Sequence, residues 1–532
     1  MPSELRRGVV RISSSYGRLG LSLLMGIVQT RILLGWLGAE GFGLVAFVGS
    51  SVGLALLIDD VLRASMIREL AAAHHADPDG KKGTFSTVLA CGSVLSATGT
   101  VATGLLFVVL AALVPVFDVP ESLQRAAVWL ILAEGVHACM MVFTAPIYNM
   151  FVVTERFVED NLFTTLRKAS YLVSAWLLQS VMDVTDPAEG VKWYGVMSVG
   201  ANVAVLGAAS LWIMGKDRRL RPGIRGASRE GVLAFLGTFG WNTAMMTAVN
   251  CYDRVGQVIT NLAYGTVGNA VFGVGYQLAA YVRMVSLGVN FGSDAVAARL
   301  SSSDAEDRRR AMIQFTTTMT RLHGFTAFPA AAMLWCLTGP VMRLWVGDRL
   351  GDEASLASAT VMAQILLLPV TVRAVTDCWT RILYGAGYIR RYAPLILAGG
   401  AVNPIAAVVL LLSLHEPARF YSAAISFACV FTVFHLFLLP ARAASCLGCR
   451  YRTLLLPMIR PAVAAVMPVP VLTHGLEPAL ELTGGRLAAS LALVAGVYGA
   501  MYFALALVFV LKPEERRRFT GIISRRLGSS GP

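Results

Sequence analysis

The chain has 532 residues, of which 56% are hydrophobic, with a mean hydropathy of +0.64 and a formal net charge of +13. This is too apolar for a soluble protein of such length, because the apolar stretches recur from one end to the other. The positive charge sits in short loops and at the termini, without aromatic-interleaved basic patches, so it argues against nucleic acid as a partner and for attraction to anionic headgroups.

Apolar segments fall near 13–34, 42–62, 86–114, 126–151, 162–182, 191–214, 231–263, 267–291, 322–345, 356–383, 393–413, 421–439, 454–473 and 487–511. Most reach the ~20 residues that a helix needs to cross a bilayer. The expected fold is all-α: a polytopic membrane protein of about fourteen transmembrane helices. The first segment contains Arg18 and is followed closely by a second, so it is expected to be an uncleaved helix rather than a signal peptide. Cytoplasmic loops carry the excess of Lys and Arg. Basic clusters occur at Arg6 and Arg7, Lys81 and Lys82, Lys216 to Arg229, Arg308 to Arg310, Arg390 and Arg391, Arg450 and Arg452, and Arg516 to Arg526. The intervening loops are poor in cations, which places both termini in the cytoplasm.

The basic stretch 216–230 reads as a cytoplasmic linker. It divides an N-terminal six-helix lobe, 1–215, from a C-terminal one, 231–441; two additional helices, 442–511, and a basic cytoplasmic tail, 512–532, follow. A weak repeat supports the division. Leu37-Gly38-Ala39-Glu40-Gly41-Phe42-Gly43-Leu44, after the first segment, has a counterpart in Tyr264 to Val274, after the seventh. Parallel repeats of this kind are one plan of secondary transporters, with the substrate site at the repeat interface.

The residues that attract attention are cations at membrane depth, which are costly and functional by default. Arg254 lies in an apolar segment on one face with Asn250, Gln257 and Asn261, and Asp253 adjoins it. In the first segment Arg11, Ser15, Arg18, Ser22 and Gln29 fall within roughly 40° of one line at 100° per residue. In the eighth, Asn269, Tyr276, Arg283 and Asn290 recur every seven residues. Arg18, Arg254 and Arg283, with Asn250, Gln257, Asn261 and Tyr276, are therefore candidate ligands for an anion, since guanidinium groups stay charged and bind phosphate oxygens bidentately. The alternatives are that Arg18 snorkels to the surface and that Arg283 pairs with a carboxylate.

Candidates for ion coupling or gating are Asp253, the pair Asp59 and Asp60 near Arg63, and Glu134 with His137 one turn later. Arg31 is expected at a hairpin or interface rather than on a ligand. Arg373, Asp377 and Arg381 form a structural ladder, and Arg167 and Lys168 are close enough to a helix end to snorkel. Cys446 and Cys449 lack the further ligands that zinc requires, so no metal or other cofactor is expected. P-loop and G-x-S-x-G motifs are missing, and outside loops are too short for a catalytic domain, so an enzyme is not expected.

Several motifs resemble a known family. Thr30-Arg31-Ile32-Leu33 through Leu37-Gly38 to Phe42-Gly43-Leu44 is similar to the first-hairpin signature of Wzx-type polysaccharide and O-antigen flippases, with Leu34-Gly35-Trp36 as an extra turn. Tyr252-Asp253-Arg254 through Gly265 to Gly273-Val274-Gly275-Tyr276, and Leu344-Trp345-Val346-Gly347, resemble further signatures of that family. It belongs to the multidrug/oligosaccharidyl-lipid/polysaccharide exporter superfamily, and the likeness spans nearly the whole chain. The resemblance implies two lobes around a central cavity and a polyprenyl-pyrophosphate-linked oligosaccharide turned from the inner to the outer leaflet of a bacterial cytoplasmic membrane. Its implied partners are that lipid, anionic bilayer lipids and other polysaccharide-assembly proteins; a monomer suffices. The open alternatives are a cation-coupled multidrug antiporter, a peptidoglycan-precursor flippase and, in another class, a membrane glycan polymerase or ligase.

Overall fold

The computed structural model describes residues 2–55, 57–76, 83–220, 223, 226–290, 293–301, 305–477, 482–511 and 516, although not every side chain within them. In chain order the helices are α1 (Pro2–Ala55), α2 (Leu57–Ala76), α3 (Thr84–Ala112), α4 (Glu121–Tyr148), α5 (Met150–Val153), α6 (Phe157–Ser180), α7 (Pro187–Lys216), α8 (Arg229–Leu287) and α9 (Ser293–Ser301). There follow α10 (Ala305–Val346), α11 (Glu353–Gly385), α12 (Ile389–Ser413), α13 (Ser422–Phe431), α14 (Leu439–Leu447), α15 (Tyr451–Val466), α16 (Val469–Leu476) and α17 (Gly484–Phe509). No strand occurs among the described residues.

Eleven of these stretches are long and apolar enough to cross a membrane. Two of the eleven, Tyr16–Gly53 and Thr243–Leu287, are interrupted by a glycine in a conformation that only glycine adopts without strain: Gly38 at φ 69°, ψ −178° and Gly265 at φ 63°, ψ −160°. Counting both arms of each gives thirteen, and α6, 24 residues long but less apolar than these, makes up the fourteen expected from the sequence. Apolar side chains that face outward, such as Val101, Leu105, Leu211, Leu412 and Leu493, are between 63% and 76% exposed and suit hydrocarbon.

Two compact units make up the chain. The first comprises Met1–Gln277, Trp345–Met362 and Ile389–Phe434. Lipid offers helices no hydrophobic drive to associate, so close packing through small residues must hold them together. A Cβ at Gly135 of α4 would lie 2.8 Å from that of Phe107 on α3, and one at Gly195 of α7 the same distance from Leu130 Cδ1 on α4. Gly400 of α12 rests against the backbone of Ala248 on α8. Arg31 donates to the carbonyl of Trp345 at 3.0 Å and lies 3.4 Å from Asp348, while Trp345 Nε1 donates to Ile27 at 2.9 Å. Arg31 thus holds an interface, as expected, and joins two stretches that carry the family resemblance.

The second unit comprises Leu278–Leu344, Ala363–Tyr388 and His435–Pro532. Its interior pairs buried hydroxyl and ring groups with backbone carbonyls that a bilayer could not satisfy. Tyr498 donates to Ala465 at 2.8 Å and Tyr502 to Phe325 at 2.7 Å. His323 Nδ1 donates to Ala374 at 2.7 Å, and Trp379 Nε1 to Thr320 Oγ1 at 2.7 Å.

Candidate functional site

On a straight helix, Gly26 and Ser50 would be about 36 Å apart, and Arg254 and Gln277 about 35 Å, at 1.5 Å per residue. All four line one cavity of about 290 Å³ in the first unit. Both α1 and α8 must therefore fold back at their left-handed glycines, and the cavity lies between two helical hairpins.

The hairpins are copies of each other. The chain offset that carries Gly38 to Gly265 carries Leu37 to Tyr264 and Gly41 to Gly268. A Cβ at Gly41 would lie 2.8 Å from Leu37 Cβ, and one at Gly268 2.6 Å from Tyr264 Cβ, so the turn is equally cramped in each. The same offset relates Gly43 to Ala270 and Ala46 to Gly273, and each of these pairs is in contact. A Cβ at Gly43 would lie 3.2 Å from Ala270 N, and one at Gly273 3.1 Å from Ala46 Cβ. Equivalent residues touch each other only on a two-fold axis. The second arms of the hairpins cross there, with glycine or alanine in each place where the backbones approach.

Polar groups flank the axis in matching positions. Thr30 Oγ1 donates to Gln277 Oε1 at 2.7 Å. Its counterpart is the bond from Ser50 Oγ to Gln257 Oε1. Gln277 Nε2 also donates to Gly26 O at 3.1 Å. Arg254 breaks the symmetry. Its guanidinium lies against Gly53, where a Cβ would come within 2.4 Å of Cζ, and its Nη1 is 3.4 Å from Gly49 O. The glycines at 49 and 53, one turn apart, make a shelf without side chains on which the cation rests. Asp253 and Tyr276 line the same cavity, and Tyr276 stacks on Phe272 at 6.4 Å between ring centres.

Of the candidates from the sequence, Arg254, Gln257, Tyr276 and Asp253 thus come together. Asn250 is turned to its own helix, donating to Met246 O at 3.1 Å, and Asn261 donates to Asp118 O at 3.4 Å near the hairpin tip. Arg18 is half-buried, with Asp160 and Lys168 of α6 as its charged neighbours. Arg283 belongs to the second unit, where its Nε is 3.2 Å from Asp377; Arg373 is 3.9 Å from the same carboxylate, as the ladder in α11 anticipates. Asp59 is buried and pairs with Arg63 at 3.3 Å, and the Arg63 guanidinium lies 5.5 Å from the centre of the Tyr148 ring. The side chains of Asp60, Arg11, Ser15 and Asn290 are outside the described residues.

Glu134 and His137 have more partners than their spacing showed. His137 Nε2 is 2.9 Å from Arg167 Nη2, and a guanidinium only donates, so Nε2 accepts. The ring hydrogen is then on Nδ1, which donates to Glu134 Oε2 at 3.1 Å. Tyr171 donates to Glu134 Oε1 at 3.2 Å, and Arg167 Nε to Asn202 Oδ1 at 3.3 Å. Arg167 does not snorkel. It turns inward because His137 and Asn202 offer acceptors between α4, α6 and α7.

The chain shares this all-helical fold with solved membrane transporters. The solved structures that the chain resembles include the lipid II flippase MurJ in an inward closed conformation, at TM-score 0.65 and 9% identity over 94% of this chain and 98% of that one. They also include an inward-facing multidrug resistance MATE transporter of the MOP superfamily, at TM-score 0.61 and 13% identity over 82% and 99%. A third is a MOP-superfamily transporter from Pyrococcus furiosus, whose binding pocket is described as of reversed polarity, at TM-score 0.58 and 15% identity over 83% and 96%. No protein-family model and no curated protein sequence matches the chain.

Proposed function

We propose that the protein is a flippase that moves a polyprenyl-pyrophosphate-linked oligosaccharide from the inner to the outer leaflet of a bacterial cytoplasmic membrane, by alternating access of the cavity between the two hairpins. The observation that carries this reading is the placement of Arg254. A guanidinium at membrane depth is expensive, and a two-glycine shelf holds this one at a cavity wall that also carries glutamine amides. A cation so placed offsets the desolvation of a phosphate group. The glycan follows from the resemblance of the motifs, and a lipid-linked substrate from the likeness to MurJ.

At about 290 Å³ the cavity lies at the low end for ligand pockets. It accommodates the phosphate-bearing head of such a lipid and not a whole oligosaccharide. Recognition therefore rests on the diphosphate, with Gln257, Gln277 and Tyr276 as hydrogen-bonding neighbours of Arg254. The six-plus-six-plus-two division of helices and cytoplasmic termini belong to the same reading.

The test is the sidedness of the lipid-linked oligosaccharide in spheroplasts, probed with a membrane-impermeant glycosidase. Cells that depend on Arg254→Glu should accumulate protected intermediate, with the variant present in the membrane at the normal level. Normal sidedness in that variant removes Arg254 from the mechanism. Asp253, on the same wall, favours a second reading as a cation-coupled drug antiporter; drug efflux that disappears in Asp253→Asn while glycan sidedness is unchanged would select it.

A further inference from the structure

The second unit contains a cavity of about 410 Å³ between α10 and α15, lined by Thr317, Thr318, Arg321, Thr453, Pro457 and Arg460, with Leu456 at its rim. We propose that it binds the phosphate of an anionic phospholipid from the cytoplasmic leaflet, independently of the cavity at Arg254. No carboxylate is among the lining residues. Two guanidiniums and the hydroxyls of Thr318 and Thr453 form a donor set for a phosphate, bidentate from arginine and single from each hydroxyl, while the Thr317 hydroxyl donates to Gln314 O at 3.0 Å.

The two helices are built to keep this space open. They are joined at their basic ends, where Arg309 donates to the carbonyl of Gly448, and again further along, where a Cβ at Gly324 would lie 3.3 Å from Pro461 Cβ. Between these contacts, positions 317, 321 and 324 on α10 and 453, 457 and 460 on α15 follow the same one-face spacing. Pro457 lies on that face as an apolar part of the lining.

Burial and depth distinguish the site from ordinary basic loops. Arg321 is only 7% exposed, so its charge is held in the wall rather than in water. Arg460 is exposed on the outer face of α15, next to Leu456 and Ile459, which are 57% and 53% exposed and continue the face into hydrocarbon. At 1.5 Å per residue, Arg321 is about 18 Å beyond Arg309 along α10, and Arg460 about 14 Å beyond the start of α15. With Arg308 to Arg310, Arg450 and Arg452 at the cytoplasmic surface, that is a depth at which a lipid phosphate is reached from the bilayer side. An open, largely apolar cavity with two guanidiniums in its wall suits a diacyl lipid: the phosphate meets the arginines, and the acyl chains lie along Leu456 and Ile459.

The experiment uses the purified full chain in nanodiscs of phosphatidylcholine doped with phosphatidylglycerol, with co-purifying lipid measured after exchange. Each arginine near an anionic headgroup favours it enough that two give roughly a tenfold to thirtyfold preference for phosphatidylglycerol in the tightly held fraction. Arg321→Gln/Arg460→Gln should lose that preference, as should Arg460→Glu, whose exposed side chain spares the folded core; Arg390→Gln, a charge that does not line the cavity, should keep it. An unchanged preference in Arg460→Glu overturns the proposal. So does displacement of the lipid by inorganic phosphate with equal stabilisation of the protein, which would make the occupant a soluble anion.

Discussion

Thr30 and Gln277 are hydrogen-bonded at 2.7 Å, and the residues that occupy their places in the other hairpin, Gln257 and Ser50, are hydrogen-bonded too. Hydroxyl and amide have exchanged arms, yet the bond has been kept on both sides of the axis. Loss of one bond leaves a buried polar group unsatisfied, which costs about 1–3 kcal/mol. Thr30→Val and Ser50→Ala are each expected to lower the melting temperature of the detergent-solubilised protein, and Thr30→Val/Gln277→Leu to recover part of the loss. No difference between the single and the double variant would show that the pair is not coupled.

Ala46 and Gly273 meet on the axis. In a background without the eight native cysteines, Ala46→Cys/Gly273→Cys should form a disulfide under mild oxidation, because their Cβ positions, 3.1 Å apart, need to part by only a few tenths of an ångström to reach the separation that a disulfide spans. If transport requires the hairpins to separate, the oxidised protein is inactive and reductant restores it. Undiminished transport by a fully crosslinked sample would show that the crossing stays closed through the cycle.

The shelf under Arg254 makes a specific demand on Gly53. Gly53→Val should push the guanidinium off α1, cost about 1–3 kcal/mol through overpacking, and impair glycan sidedness as severely as Arg254→Gln. Arg254→Lys should retain part of the activity, since the charge remains while the bidentate geometry is lost. Equal activity of Gly53→Val and the parent would show that the shelf is incidental.

Gly38 and Gly265 hold backbone angles that cost other residues about 1–3 kcal/mol. Gly38→Ala and Gly265→Ala should each be destabilised on that scale in thermal unfolding. Gly200→Ala, on a helix with open space around the position, should be neutral or slightly stabilising. A Gly38→Ala protein as stable as Gly200→Ala would contradict the left-handed turn.

Arg167 and Lys168 are adjacent, but only Arg167 is held by His137 and Asn202. Arg167→Gln leaves His137 Nε2 without its guanidinium donor, so it should destabilise by about 1–3 kcal/mol, as losing the partner of a buried polar group does. Lys168→Gln should change stability by less than about 0.5 kcal/mol, as surface changes do. Similar melting temperatures for the two variants would mean that Arg167 reaches the surface after all.

The span count, the repeat and Arg254 were legible in the sequence, because twenty-residue apolar runs, paired glycine-rich turns and a misplaced cation all stand out against hydrocarbon. Partners were less so. A helical face gives direction but not what it meets, which is why Asn250 and Asn261 shared a stripe with Arg254 and yet bond to their own helix and to a loop. Thr30, Ser50 and Gln277 gave no sign, since a lone hydroxyl or amide in a membrane helix has no period. Gly49 and Gly53 did carry one, the spacing of a single turn, and their role emerged only when Arg254 was seen lying across them.

The two hairpins are interchangeable at the crossing but not along the walls. The place that Arg254 holds in one is taken by Ile27 in the other. A frame built twice from the same plan therefore surrounds a space with a cation on one wall and only neutral groups, among them Gln29 and Thr30, on the other. Such a space sorts the two ends of a molecule: a cargo with an ionic group at one end and an oily or neutral one at the other has a single way to lie in it.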